Sequence, residues 1–365
     1  MLTSLAFIFL AGLLMAAVCK RLKLPGIIGM LITGIVLGPY VLDLLDPSIL
    51  SVSSDLRQMA LIIILLKAGL SLDLSDLKKV GRPAIMMSCV PASCEILAFF
   101  LLAPSLLGVT RIEAAVMGAV LAAVSPAVVV PRMVRLMDEK YGTKKSIPQL
   151  ILAGASCDDI FVIVLFSTFS GMAQGGHANV MGFVNIPVSI VLGVSFLLMA
   201  VETWLKGIVS VSGLLAVVSM ACVIRIRCVP QVTARLSEKF GKLWLAAEVI
   251  LFVLVGAAVD IRYTLEAGIA AVAMIFAALI FRGIGVSLCL VKTSLSFKER
   301  LFCIIAYLPK ATVQAAIGSV PLAMGLPCGK IVLSVAVLAI LITAPLGAIG
   351  IDSAYKKLLT HDENG

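Results

Sequence analysis

Charge is scarce in this sequence. Asp, Glu, Lys and Arg make up 13% of its 365 residues, against about 25% in an ordinary soluble domain. That shortage excludes a water-soluble globular protein of this size. Histidine is scarcer still: His177 and His361 are the only two, one in a loop and one in the tail, which argues against a histidine proton relay. Aromatic residues amount to 6%, with two Trp. The nine cysteines, an odd number, have no metal-ligand spacing and fall mostly in apolar runs, so they read as small packing residues. A cleavable leader is not expected. The run Leu2–Val18 is apolar, but its positive cluster, Lys20, Arg21 and Lys23, follows it rather than precedes it, so a retained first span with an outside N-terminus is expected. The net charge of +9 is no sign of nucleic-acid binding, because most Lys and Arg lie in a few short loops that act as orientation signals.

Apolar residues fill the space: 61% of the chain is hydrophobic and mean hydropathy is +1.15. The chain reads as an all-α polytopic membrane protein. With about 20 apolar residues per crossing, spans are expected at 3–19, 26–42, 56–72, 83–107, 112–136, 147–172, 241–259, 265–291, 299–321 and 328–350. Positive charge alternates. The loops at 20–23, 73–82 and 132–145 are basic, those at 43–55, 104–111 and 173–182 are not, and the later loops at 225–242, 292–300 and 356–357 are basic again. The positive-inside rule then puts residue 175 outside and residue 235 inside. Segment 183–226 must therefore cross an odd number of times, yet it has room for two full spans or for one span and a re-entrant piece. This points to a shortened link between two halves.

The two halves resemble each other. LIIILLKAGLSLDLSDL (61–77) and LFVLVGAAVDIRYTL (251–265) are apolar runs that each end in small residues and an acid, and loop charge gives them opposite directions. Opposed repeats of this kind are a signature of secondary transporters. A second pairing agrees. Span 112–136 carries Ser125-Pro126 in AVSPAVVVP, and span 299–321 carries Pro309 in YLPKATVQAAIG. Proline removes an amide donor, and broken backbone at membrane depth is tolerated where it lines a cavity. Two breaks at matching positions of inverted halves predict a midplane site, where ordinary proline kinks would be the plainer alternative.

Asp158 and Asp159 carry the most information. They lie side by side within ILAGASCDDIFVIVLFSTF (151–169), and acids in hydrocarbon usually face polar cavities on ion or proton paths. Neighbouring helical residues point about 100° apart, so one acid faces the cation and the other faces the rim or a neighbouring helix. Protons and a cation then compete for the same oxygens. Backbone carbonyls at Ala123, Val124 and Ser125, with Thr312 and Gln314, would add oxygen ligands that suit a hard cation, sodium or lithium. Glu95, Arg282 and Lys310 are the other deep charges. Glu95 and Arg282 occupy equivalent spans and are expected to pair, as a structural or gating contact. Lys310, just past the proline break, is expected to compensate charge in the cavity, at half-helix carbonyl ends or by competing for the carboxylates. For Lys67 and Glu202, an interfacial or inter-helix contact is the better expectation. An intramembrane aspartyl protease is disfavoured, because that chemistry needs two aspartates on facing helices, and an open channel is disfavoured by the broken-helix symmetry.

Four stretches, LPGIIGMLITGIVLGP (24–39), AVSPAVVVP (123–131), GASCDDIFVIV (154–164) and LPKATVQAAIG (308–318), carry a resemblance to the cation:proton antiporter superfamily, most similar to its NHA branch and bacterial relatives. The resemblance covers nearly the whole chain. It implies an inverted-repeat antiporter fold of about 11–13 spans with two crossed, broken helices. It also implies a six-helix core moving elevator-like against a dimerisation part, a homodimer, and a cation at Asp158 and Asp159. Sodium or lithium exchange for protons is the expected function, with potassium or another monovalent cation as the alternative. No resident cofactor is expected; sodium is the substrate. Residues 1–172 form the expected first repeat, with core spans at 56–172. Residues 173–240 are the shortened linker and start of the second repeat, 241–350 its remainder, and 351–365 a cytoplasmic tail. Lipid surrounds the chain, no nucleic-acid partner is expected, and compactness favours a bacterial inner membrane. The departure from the resemblance lies where NIPVSIVLG (185–193) runs straight into VSFLLMAVETW (194–204).

Overall fold

The computed structural model describes residues 1–71, 81–174, 213–228 and 230–361. Much of the segment 183–226, with Glu202, lies outside them, as do His177 and most of the basic loop 73–82.

The first helices are α1 (Leu2–Arg21), α2 (Gly26–Leu37), the short α3 (Pro47–Ser51) and α4 (Ser53–Ser71). Asp46 caps α3 by accepting from the Ser48 amide at 2.8 Å, and its carboxyl is held below the usual range chiefly by hydrogen bonds from Ser48. Then follow α5 (Arg82–Met87), α6 (Val90–Leu107), α7 (Arg111–Leu121), α8 (Pro126–Asp138) and α9 (Ile147–Ala173). The remainder comprises α10 (Gly213–Arg227), α11 (Pro230–Ala257), α12 (Ile261–Cys289), α13 (Phe297–Ala306), α14 (Thr312–Gly318), α15 (Val320–Ala323) and α16 (Gly329–Leu358). Among the described residues there is no strand, only an isolated bridge between Tyr141 and His361.

Among the described residues seven segments are long and apolar enough to cross a membrane, taking α5–α6 and α7–α8 each as one, and Gly26–Leu37 and Thr312–Ala323 are shorter apolar helices. Four features differ from expectation. The span expected at 83–107 is divided into α5 and α6 at residues 88–89, and the expected tail 351–365 is helical as far as Leu358. The span expected at 26–42 is helical only to Leu37. The segment 230–242, expected as part of a basic inside loop, is instead the first half of α11. Its Lys, Arg and Glu residues are good helix formers, so the helix continues past the apolar stretch that marks the membrane.

The inverted halves are visible in the packing. Equivalent elements pair across the pseudo-twofold axis, α4 with α11 and α6 with α12. The first halves of both interrupted helices open with the same device. At α7, Thr110 accepts from the Glu113 amide at 3.4 Å while Glu113 accepts from the Thr110 amide at 2.8 Å. At α13, Ser296 and Glu299 repeat this reciprocal capping at 3.3 and 2.6 Å. Gly108, in the left-handed region at φ 66°, ends α6 just before the first of these caps.

A tight cluster of α1, α2, α4 and α11 lies beside the broken helices. Side chains are nearly absent at its crossings. A Cβ on Gly29 would overlap the Met15 carbonyl, one on Gly34 the Val253 carbonyl, and one on Gly256 the Leu31 carbonyl. With no water to drive helices together in lipid, such close backbone approach supplies the packing.

Candidate functional site

Both interrupted helices break beside one another. Residues 122–125 separate α7 from α8, and residues 307–311 separate α13 from α14. The two breaks touch: the Ser125 amide donates to the Pro309 carbonyl at 2.8 Å. Gln314 fastens them again. Its side-chain amide donates to the Ala123 carbonyl at 2.7 Å, and its carbonyl oxygen accepts from the Ala311 amide at 2.8 Å. From α16, Thr343 Oγ1 accepts from the Lys310 amide at 3.0 Å. Helix α16 also approaches the second break at Gly347, where a Cβ would overlap the Pro309 ring.

The carbonyl end of α7 carries a partial negative charge, and two cations meet it. Arg282 Nη1 donates to the Ala122 carbonyl, and Lys310 Nζ donates to the Leu121 carbonyl. Both cations also hold Glu95. Arg282 Nη1 lies 2.7 Å from Oε2, and Lys310 Nζ lies 2.7 Å from Oε1 and 2.8 Å from Oε2. Thus Glu95 and Arg282 do pair across the equivalent helices α6 and α12. Lys310 joins the same carboxylate, and its ion pair is with Glu95 rather than with either aspartate.

Arg282 has a second duty that sequence reasoning missed. Its Nη2 lies 3.1 Å from Asp158 Oδ2, and its Nε donates to the Tyr307 carbonyl at 2.7 Å. The Val124 amide also donates to Asp158 Oδ2, at 2.9 Å. Val124 was expected to offer a carbonyl to the cation; in the structure its N–H binds the carboxylate. Asp158 is therefore fully buried, ion-paired and hydrogen-bonded.

Asp159 differs. It is 5% exposed, and among the described residues it has no ion pair and no hydrogen-bond donor. Asp158 Oδ1, Asp159 Oδ1 and Ser125 Oγ are buried oxygens without a donor. Neighbouring helical positions point about 100° apart, so the two carboxylates meet different surroundings: Asp158 is held by Arg282 and the Val124 amide, and Asp159 has no such partner among the described residues. Thr312, buried at the first position of α14, lies at the same break. The Ala123 carbonyl is already engaged by Gln314. Five charged side chains make up the cluster, Glu95, Asp158 and Asp159 against Arg282 and Lys310, and fully ionised they sum to −1.

Known proteins resemble this chain in sequence and in fold. The profile of the family described as sodium/hydrogen exchanger, transmembrane, matches residues 5–205 and 185–356. Sodium/hydrogen exchanger 9B2 of Homo sapiens is 33% identical over 382 residues, covering 93% of this chain and 71% of that protein. Sodium/hydrogen exchanger 9B1 of Homo sapiens is 31% identical over 385 residues, covering 92% and 73%. The structure of the sodium proton antiporter MjNhaP1 from Methanocaldococcus jannaschii superposes with a TM-score of 0.79 at 22% identity, covering 98% of this chain and 99% of that one. That likeness gives the fold: an inverted-repeat antiporter fold. Because 93% of 365 residues is about 340, a match of 382 positions leaves about 40 that the first human relative fills and this chain does not. The two profile matches overlap at 185–205, where the shortened link was expected. The chain belongs to the transmembrane sodium/hydrogen exchanger family.

Proposed function

We propose that this multi-pass membrane protein exchanges sodium or lithium for protons, with Asp159 as the carboxylate for which the two ions compete. One observation carries the reading: Asp159 is buried with no ion pair among the described residues, beside an Asp158 that Arg282 and the Val124 amide already hold. A bare acid at membrane depth must bind a proton or a cation, because burying it charged and alone is too costly. The donorless oxygens of Asp158, Asp159 and Ser125 supply hard ligands. The names of the relatives support sodium as the ion.

The charge count supports a one-for-one cycle. With a sum of −1, one sodium ion or one proton brings the cluster to zero, and either neutral form can cross the apolar part of the cycle. Glu95 has no part in ion exchange in this scheme; it is held by Arg282 and Lys310. The movement we infer is elevator-like. A core of α5–α9 and α12–α16 shifts against a scaffold of α1–α4, α10 and α11, which would pair with a second copy in a homodimer. Helices α4 and α11, counted above within the core spans 56–172 and 241–350, fall to the scaffold in this scheme, because α11 packs on α2 and α4 packs on α10 and α11. Protease chemistry finds no support, since both acids project from the single helix α9.

The test is proton flux in everted vesicles from cells without their own antiporters. An energised pH gradient is challenged with sodium, lithium or potassium, for the parent chain and for Asp159→Asn. Collapse with sodium or lithium that is absent in the variant supports the proposal. Collapse with potassium alone shifts the substrate to the runner-up, and an undiminished response in Asp159→Asn overturns the site.

A further inference from the structure

Tyr307 is a fully buried phenol at the C-terminal end of α13 whose hydroxyl has no hydrogen-bond partner among the described residues. A hydroxyl left so in a dry interior is destabilising, and phenylalanine would fill the space without that cost. Three contacts show what surrounds it. The ring lies against the Arg282 guanidinium, 5.5 Å from centroid to Cζ. The backbone carbonyl accepts from Arg282 Nε at 2.7 Å. The hydroxyl abuts α9 at Gly154, where a Cβ would overlap it.

Gly154 stands four residues before Asp158, so the two share one face of α9 a single turn apart. Asp158 Oδ1, the oxygen that neither Arg282 nor Val124 takes, also lacks a donor. One helical turn rises about 5.4 Å, the length of two hydrogen bonds of about 2.8 Å end to end. A single water between them would satisfy both groups, and buried waters occupy sites of this kind.

We propose that Tyr307 is a positioning residue of the ion site: its ring and carbonyl fix Arg282 between Glu95 and Asp158, and its hydroxyl serves Asp158 Oδ1 through one water. This rests on the exchange reading above and deepens it. Arg282 is held on one side by Glu95 and on the other by Tyr307, so the phenol governs how much of the guanidinium Asp158 receives. Gly154 is the matching feature on α9, because a methyl group there occupies the place of the hydroxyl.

The experiment uses Tyr307→Phe, Gly154→Ala and the double variant, in proteoliposomes with sodium-driven proton flux followed from pH 6 to 9. In Tyr307→Phe the ring remains and only the donor is lost, so protons compete better with sodium at the carboxylates. Half-maximal sodium at the acid end rises about threefold to tenfold, the pH profile moves to the alkaline side, and melting temperature stays within about 2–4 °C of the parent's. Gly154→Ala lowers yield and melting temperature, and adding Tyr307→Phe restores them. A Tyr307→Phe profile that coincides with the parent's overturns the hydroxyl's role. A double variant no better than Gly154→Ala overturns its placement. Should the parent itself move no ion, the exchange reading fails, and the rescue of folding still decides where the hydroxyl lies.

Discussion

Glu95→Gln isolates what the buried charges do. The amide keeps the shape of the side chain and removes its charge. At present the carboxylate meets Arg282 Nη1 at 2.7 Å and Lys310 Nζ at 2.7 and 2.8 Å, with all three side chains out of reach of solvent. After the change Arg282 still has Asp158 and the carbonyls of Ala122 and Tyr307. Lys310 is left with the Leu121 carbonyl and no anion of its own. Stranding one member of a buried pair costs about 3–5 kcal/mol. At about 2 °C per kcal/mol for a large chain, the melting temperature in detergent should fall by about 6–10 °C. Exchange should stop as well, because the cluster then sums to zero with Asp159 ionised and a sodium ion no longer neutralises it. Adding Lys310→Met removes the stranded cation and restores a sum of −1. The double variant should therefore regain most of the stability, with a coupling of about 2 kcal/mol or more, and regain sodium-driven proton flux. The assays are thermal unfolding followed by size-exclusion chromatography, and flux in proteoliposomes. Single-variant losses that simply add in the double variant would refute both the pairing and the charge count.

Other outcomes follow from the same geometry. Lys310→Met alone brings the sum to −2, so its flux should respond to an imposed membrane potential to which the parent is indifferent. Gln314→Leu removes the donor to Ala123 and the acceptor for Ala311. It should lower stability by about 2–4 kcal/mol, read as loss of monodisperse protein on heating, with slower exchange. Gly34→Ala drives a methyl group into the Val253 carbonyl, which cannot step aside as a side-chain tip can. It should cost about 1–3 kcal/mol or more, seen as a lower melting temperature, while the sodium concentration for half-maximal flux stays that of the parent.

Polar residues stranded in apolar runs made the central residues legible in sequence. Nothing but function or pairing keeps Glu95, Asp158, Asp159, Arg282 and Lys310 at membrane depth, and Pro126 and Pro309 mark where backbone is freed. The contacts among them were not legible. Arg282 reaches Asp158 as well as Glu95 because the breaks cross, and a crossing angle leaves no trace in a linear pattern. Tyr307 was missed because a lone aromatic at a helix end looks like packing. One signal was available and passed over: Thr110-Arg111-Ile112-Glu113 and Ser296-Phe297-Lys298-Glu299 are matching capping boxes, each opening the first half of an interrupted helix. They repeat the inverted halves independently of hydropathy. The long inside end of α11 was misread because its charges were counted as loop, although the same residues favour helix. The family profile's double match at 185–205 falls in the stretch where loop charges already disagreed.

Calorimetric titration of sodium into the purified protein, in two buffers of different ionisation enthalpy, counts the protons released per ion bound. Competition at a single bare carboxylate predicts close to one proton per sodium ion at a pH where Asp159 holds its proton, and no sodium heat in Asp159→Asn. Sodium binding without proton release, or binding that survives Asp159→Asn, would contradict it.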